Sequence, residues 1–91
     1  MLDEAWVLAP GVALRPESFG ALAYHFGNRR LTFLKRPELV TLVRSLGNSP
    51  DVRAALEQVG VAQAQWPAYE AALKGLARAD MIRPRTSERI P

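Results

Sequence analysis

The chain has 91 residues, of which 48% are hydrophobic, and this predicts one folded domain over residues 1–91 with an ordered core from about residue 5 to residue 82. It contains no cysteine, which excludes a disulfide framework and a thiolate zinc site. It contains one histidine, which argues against a histidine metal site or a Ser-His-Asp triad. The net charge of +3 is mildly basic, below the charge density of an obligate nucleic-acid binder.

The first third of the chain is predicted to form strands. Short apolar runs at residues 6–8 and 12–14 flank a Pro-Gly turn signal, and we expect the second run to stop at Pro16, which lacks a backbone N–H. Two further runs, residues 21–26 and 30–34, are separated by Gly27-Asn28, a two-residue hairpin signal. Both faces of the last strand carry apolar side chains, so the pattern leaves open which face meets the core.

Helices are predicted for the rest of the chain. The first begins at Pro37 and ends at Gly47 as a C-terminal cap; the second begins at Ser49-Pro50-Asp51 with Ser49 as the N-cap and ends at Gly60. The third begins near Pro67, and Trp66 is either a hydrophobic anchor beneath its start or a side chain that faces a ligand. Residues 83–91 are polar, and we expect them to fray. The predicted fold class is therefore α+β, with a small antiparallel sheet packed on three helices.

Candidate catalytic groups are scarce. His25 lies in a strand, where a structural or surface role competes with a functional one, and its capacity to change charge near neutral pH is the only argument for function. Gly27-Asn28-Arg29 has neither the spacing nor the lysine of a phosphate-binding loop. We therefore expect the chain not to be an enzyme, and we expect no cofactor and no metal. The N-terminal residues include Asp3 and Glu4 instead of the basic residues of a signal peptide, which predicts a cytoplasmic protein that does not bind membranes.

Basic residues bracket the last predicted strand and admit three interpretations. They are Arg29, Arg30, Lys35 and Arg36. They could form a solvated sheet edge that resists aggregation, contact an acidic peptide, or contact DNA phosphates. The third helix carries few side chains suited to reading bases, and the strands precede the helices, so we expect no nucleic-acid partner and keep a winged-helix DNA-binding protein as the alternative function. A subunit that only stabilises an enzyme is a further alternative.

The last strand also offers a place for a peptide. As the final strand in sequence it is expected at the sheet edge, where its free N–H and C=O groups could pair with another extended chain. Small residues of the third helix, among them Ala72 and Gly75, would leave a groove beside it. The same edge could pair with a second copy of the chain, so a homodimer through this strand is a further expectation.

Several stretches resemble a known family. The run 8–14, the hairpin and the run 30–35 leading into a helix resemble the PqqD-like domains, which recognise precursor peptides of ribosomally made, post-translationally modified peptides. Residues 13–22, 24–35 and 79–82 are similar to the mycofactocin biosynthesis chaperones within that group, and the resemblance covers residues 5–84. It implies a winged-helix-like fold, with a three-stranded antiparallel sheet followed by a three-helix unit.

The resemblance also implies a function. The chain would bind the leader segment of the mycofactocin precursor peptide by strand addition and present it to a radical S-adenosylmethionine maturase, whose reaction is oxidative decarboxylation and crosslinking at the C-terminal Val-Tyr of the precursor. The iron–sulfur and S-adenosylmethionine cofactors would belong to the maturase. In this family the leader pairs with the third strand and lies against the third helix.

The resemblance and the edge-strand argument place the peptide site on the same two elements. The backbone of Leu31, Thr32 and Phe33 would form the added ladder, and basic side chains would meet acidic leader residues. Tyr69, Leu73 and Leu76 would line the helix side, unless they belong to the core. The predicted peptide-binding residues are Arg29, Arg30, Leu31, Thr32, Phe33, Leu34, Lys35, Tyr69, Ala72, Leu73 and Leu76.

Overall fold

The computed structural model describes residues 1–85. Five strands and three helices follow in chain order: β1 Trp6–Leu8, β2 Val12–Glu17, β3 Gly20–His25, β4 Leu31–Leu34, α1 Pro37–Ser45, α2 Val52–Val59, α3 Trp66–Arg78 and β5 Ile82–Pro84. Strands β2, β3 and β4 form an antiparallel sheet in that order, and β1 pairs separately with β5. The predicted architecture, a three-stranded antiparallel sheet followed by three helices, is confirmed.

The inner face of the three-stranded sheet packs against the helices. Ala21 and Ala23 of β3 are fully buried, and α1 packs against this strand because alanine lets a helix approach closely. Side chains of all three helices close the core over Leu34 of β4. The fully buried large side chains are Leu34, Leu42, Val43, Leu46, Val52, Leu56, Leu73, Met81 and Ile82.

The Pro-Gly turn is confirmed, but the strands on its two sides belong to different sheets. Val12 N donates to Ala9 O at 3.1 Å, which closes the turn. Strand β1 then pairs with β5, with Val7 opposite Arg83. Arg85 N also donates to Ala5 O at 2.9 Å. The prediction that residues 83–91 fray is therefore wrong for residues 83–85, and residues 86–91 lie outside the described residues. Side-chain nitrogens of Arg85 also donate to the carbonyls of Leu46 and Ser49, at 2.9 and 2.7 Å.

Pro16 does not end β2, which continues to Glu17. Phe26 N donates to Gly11 O at 2.9 Å, and alternation along this antiparallel pair turns the backbone of residues 13, 15 and 17 towards β3. The nitrogen of Pro16 therefore points to the free edge of β2, where its missing N–H costs no ladder bond. Gly20 follows the turn with φ 149°, and a Cβ there would lie 2.1 Å from Leu34 O, so only glycine fits.

Two predicted helix ends are shifted. Asp51, not Ser49, is the N-cap of α2, and its carboxylate accepts from Ala54 N at 2.8 Å. Gly47 does not cap α1 in the left-handed conformation; it lies in a 3₁₀ turn, Leu46–Asn48, that leads to the buried Ser49. Gly60 does cap α2 as predicted, with φ 89°. Trp66 is confirmed as the anchor of α3, because its ring is buried and its Nε1 donates to Val61 O at 3.0 Å.

Candidate functional site

Strand β4 is an edge strand whose open side can be assigned residue by residue. His25 N donates to Arg30 O at 3.0 Å, and β3 pairs with β4 in the register that places Ala23 opposite Thr32. Backbone groups in an antiparallel pair point alternately towards and away from the partner strand. The N–H and C=O groups of Thr32 and Leu34 therefore face β3, and those of Leu31 and Phe33 face the open edge.

This assignment corrects the predicted ladder. Thr32 was expected to offer its backbone to an added strand together with Leu31 and Phe33, but its backbone faces β3. The side chains follow the same alternation. Leu31 and Phe33 are 57% and 58% exposed on the outer face of the sheet, whereas Leu34 is 1% exposed in the core. The sequence had left open which face meets the core, and the structure places Thr32 and Leu34 on it.

A groove lies between the end of β4 and the first half of α3. Its cavity has a volume of about 250 Å³. It is lined by Phe33, Lys35 and Arg36 from β4 and the residues that follow it, by Leu39 of α1, and by Ala68, Tyr69 and Ala72 of α3. The groove carries positive charge at one end, and the Arg36 guanidinium lies 5.8 Å from the centre of the Tyr69 ring. It can therefore accept an apolar side chain flanked by a carboxylate.

The structure separates the predicted helix residues into two groups. Tyr69 and Ala72 line the groove, although Tyr69 is 4% exposed overall. Leu73 and Leu76 are 0% and 3% exposed and belong to the hydrophobic core. Helical phase explains the difference. Leu73 and Leu76 follow Tyr69 at i+4 and i+7 along the buried stripe of α3, whereas Ala68 and Ala72 lie on the flank of that stripe that borders the groove. Leu73 and Leu76 thus hold α3 in place but do not line the groove.

The connection between β3 and β4 is longer than the predicted two-residue turn. It comprises residues 26–30, and Arg29 adopts φ 63°. His25 Nδ1 accepts from Gly27 N at 2.9 Å and from Asn28 N at 3.3 Å. The imidazole thus pairs the backbone N–H groups of two loop residues, which a two-residue turn would not place around it. His25 therefore has a structural role, which was one of the two roles the sequence allowed.

The same loop is attached to the far end of α3. Asn28 Nδ2 donates to Ala79 O at 3.4 Å, and Arg30 donates through its Nη1 to Arg78 O at 3.5 Å. Asn28 also accepts from Arg30 N at 2.9 Å through its side-chain oxygen. These contacts hold the start of β4 near the end of α3, at the opposite end of the two elements from the groove.

The predicted peptide-binding residues do not include Arg36, Ala68 or Asn28, although Arg36 is among the basic residues considered above for contact with an acidic peptide. The signal for Arg36 was present, since a residue before proline is extended, and Arg36 continues the direction of β4 with φ −135° and ψ 132°. Ala68 and Asn28 gave no signal, because their roles depend on how α3 lies against the sheet.

Chemistry other than binding finds little support in the described part of the chain. Residues 1–85 hold no group of three or more His, Asp or Glu side chains that could bind a metal ion. Within the same residues, no helix is both long enough and apolar enough to cross a membrane. A second cavity of about 400 Å³ lies near the loop, where His25, Asn28, Asp80 and Arg83 contribute to its lining.

Comparison with known proteins gives a consistent result. The model of the Peptide chaperone MftB family matches residues 5–83. A peptide chaperone MftB of Mycobacterium ulcerans is 45% identical over 86 residues, which cover 94% of this chain and 79% of that protein. The protein of the same name from Mycobacterium tuberculosis is 46% identical, covering 91% of this chain and 76% of its own length. That from Mycolicibacterium smegmatis is 48% identical, covering 94% and 84%. No solved structure matches the chain significantly.

These matches extend over the sheet, the loop and all three helices, so they include every part of the groove. The relatives are named for a non-enzymatic role, and the expectation that the chain is not an enzyme is confirmed on that ground. The resemblance to the mycofactocin chaperones is confirmed as well. The chain belongs to the Peptide chaperone MftB family and is a non-catalytic peptide chaperone.

Proposed function

We propose that this chain binds the leader segment of the mycofactocin precursor peptide as a strand added to β4 and presents the precursor to a radical S-adenosylmethionine maturase. The observation that carries the proposal is the open edge of β4 beside the groove. There the N–H and C=O groups of Leu31 and Phe33 point away from β3, and no other strand within residues 1–85 pairs with them. An added strand gains main-chain hydrogen bonds at such an edge and places alternate side chains on either side of it.

The two edges of the sheet are not equivalent. Strand β2 forms the other edge, but Pro16 interrupts its row of outward donors. Strand β4 keeps its donors and borders an apolar groove, which supports binding at β4. In this arrangement one set of leader side chains enters the groove at Tyr69 and Ala72, and the other set lies beside Leu31 and Phe33.

Charge indicates the kind of peptide that fits. Arg29 and Arg30 precede β4, and Lys35 and Arg36 follow it, so an extended segment along the edge meets cations at both ends. Carboxylates near both ends of the leader segment would be favoured, each exposed pair by up to about 1 kcal/mol. Antiparallel pairing of two β4 strands would instead bring the Arg29–Arg30 end of one copy near the Lys35–Arg36 end of the other. Like charges close together weaken strand pairing, so we expect the homodimer to form less readily than the peptide complex.

Presentation requires no chemistry from the chaperone. Leader and core are parts of one precursor chain, so holding the leader beside the maturase raises the local concentration of the core at the active site. The maturase supplies the iron–sulfur cluster and S-adenosylmethionine. The cytoplasmic location of this process stays a prediction.

A substitution that fills the groove tests the proposal. Phe in place of Ala72 would occupy the space that a leader side chain enters, and we expect the leader affinity to fall at least ~10-fold. Ala71→Phe is the matched control, because Ala71 is exposed on the same helix and does not line the groove. Fluorescence anisotropy with a labelled synthetic leader measures both affinities. Equal affinity for the two variants would contradict binding in the groove. Salt-sensitive binding to duplex DNA, with no affinity for the leader, would instead support the DNA-binding alternative.

A further inference from the structure

The outer face of the three-stranded sheet carries large apolar side chains that none of the helices within residues 1–85 covers. Among residues 1–85 the exposed large hydrophobic residues are Phe19, Phe26, Leu31 and Phe33, at 39%, 65%, 57% and 58% exposure. These side chains, together with Leu22 and Tyr24, form what we call the outer aromatic face.

Contacts show that the outer aromatic face is continuous. The Phe19 and Phe33 rings meet edge to face with centroids 5.8 Å apart, and those of Tyr24 and Phe26 meet in the same way at 4.8 Å. Register joins the two pairs, because Leu22 lies opposite Phe33 and Tyr24 lies opposite Leu31. If a fully exposed side chain of this size offers ~150–250 Å², the exposed fractions of the four residues expose about 400 Å². That is the size of the largest apolar patch on a typical monomer, about 300–600 Å², and such a patch is often functional.

Leader binding at β4 would not cover this face. An added strand lies in the plane of the sheet, and its side chains stand perpendicular to that plane. The leader's outward side chains would therefore stand beside Leu31 and Phe33 and enlarge the apolar surface. A specific complex needs about 800 Å² from each partner, which is roughly twice what this face offers alone. The face and an added leader strand together approach that size.

The charge around the face argues against a second copy as its partner. Arg15 projects from β2 on this side of the sheet, opposite Leu22, with its side chain 78% exposed, and Lys35 follows Phe33 at the other edge. Two copies joined through this face would meet with cationic rims, although Glu17 lies 3.3 Å from Arg15 and offsets part of that charge. An acidic rim on a different protein is the better complement.

We propose that the outer aromatic face is the docking surface for the maturase, which contacts it through an apolar surface rimmed by carboxylates. This inference rests on the proposed function, because the leader strand completes the interface. It also explains how the enzyme would distinguish the loaded from the empty chaperone, since the interface reaches full size only when the leader is bound.

The double variant Phe19→Ser/Phe26→Ser tests the proposal. Both residues lie at the far ends of the face, outside the groove and outside the open backbone edge of β4. Phe19→Leu/Phe26→Leu is the control, because it keeps apolar side chains at both positions. Biolayer interferometry measures the affinity of purified maturase for each chaperone, with and without saturating precursor peptide, and circular dichroism checks that each variant is folded.

We expect the serine variant to bind the leader within a factor of ~2 of the wild type but to bind the maturase at least ~10-fold more weakly, with the leucine variant retaining both affinities. Equal maturase affinity for the serine variant and the wild type would overturn the proposal. So would a wild-type dimer that the serine change dissociates without affecting maturase binding, since the face would then serve a second copy. A wild type that does not bind the maturase with or without peptide overturns it too. If the wild type fails to bind the leader, yet maturase binding still requires these two rings, the proposed function fails and the docking surface stands.

Discussion

The Phe33→Pro variant tests whether β4 binds the leader through backbone hydrogen bonds or only through side-chain contacts. The N–H of Phe33 faces the open edge of β4, so proline at this position removes a donor to the leader and leaves the bonds between β3 and β4 intact. The preceding Thr32 is already extended, as a residue before proline prefers. We therefore expect the variant to remain folded, with an unfolding free energy within about 1 kcal/mol of that of Phe33→Ala.

We expect Phe33→Pro to reduce the affinity for the leader more than it reduces the stability of the fold. Leu31 and Phe33 together offer four outward backbone groups, and at a net value of about 0.5–1.5 kcal/mol each they contribute roughly 2–6 kcal/mol to the complex. Proline removes one bond and leaves a leader carbonyl without its partner, a loss of about 2 kcal/mol or ~30-fold in Kd. Isothermal titration calorimetry with the synthetic leader measures this loss. Phe33→Ala is the control for the side chain, and the reasoning is refuted if the proline and alanine variants bind the leader equally well.

Three further predictions concern the scaffold of the site. His25→Ala removes the acceptor for Gly27 N and should weaken leader binding several-fold, whereas His25→Asn keeps an acceptor near the Nδ1 position and should restore it; calorimetry compares the two. Gly20→Ala should destabilise the fold by about 3 kcal/mol or more in urea denaturation, because its Cβ would overlap Leu34 O; a wild-type midpoint would be inconsistent with this packing. Asp51→Ala should cost about 1 kcal/mol of unfolding free energy through the lost N-cap and leave leader affinity unchanged, so a weakened complex would argue against a purely local role.

Element types were predictable because apolar spacing determines them locally. The runs at residues 21–26 and 30–34 became β3 and β4, and the buried stripe of α3 contains Tyr69, Leu73 and Leu76. Which strands pair with each other was harder to predict from the sequence. Nothing near Ile82 indicates that it returns to lie opposite Leu8, since a three-residue strand is stabilised by a partner far away in sequence.

The site was predictable as a location and less so in its details. An edge strand beside a helix with small residues indicated the groove, and Ala72 does line it. The role of Thr32 could not be decided, because a change of one residue in register reverses both the side-chain face and the direction of the backbone bonds. The role of Leu73 depends on how α3 packs against the sheet, which its sequence does not contain. The His25 contacts that lengthen the loop, and thereby set that register, are side-chain bonds that a propensity pattern does not contain.

Amide hydrogen exchange with and without the precursor peptide tests the central claim most directly. In the free chaperone the amides of Thr32 and Leu34 should already be protected by β3, and those of Leu31 and Phe33 should exchange quickly. The account predicts that saturating peptide protects Leu31 and Phe33 specifically. Protection gained at Leu14 on the opposite edge, or peptide binding without any gain at β4, would contradict strand addition at this site.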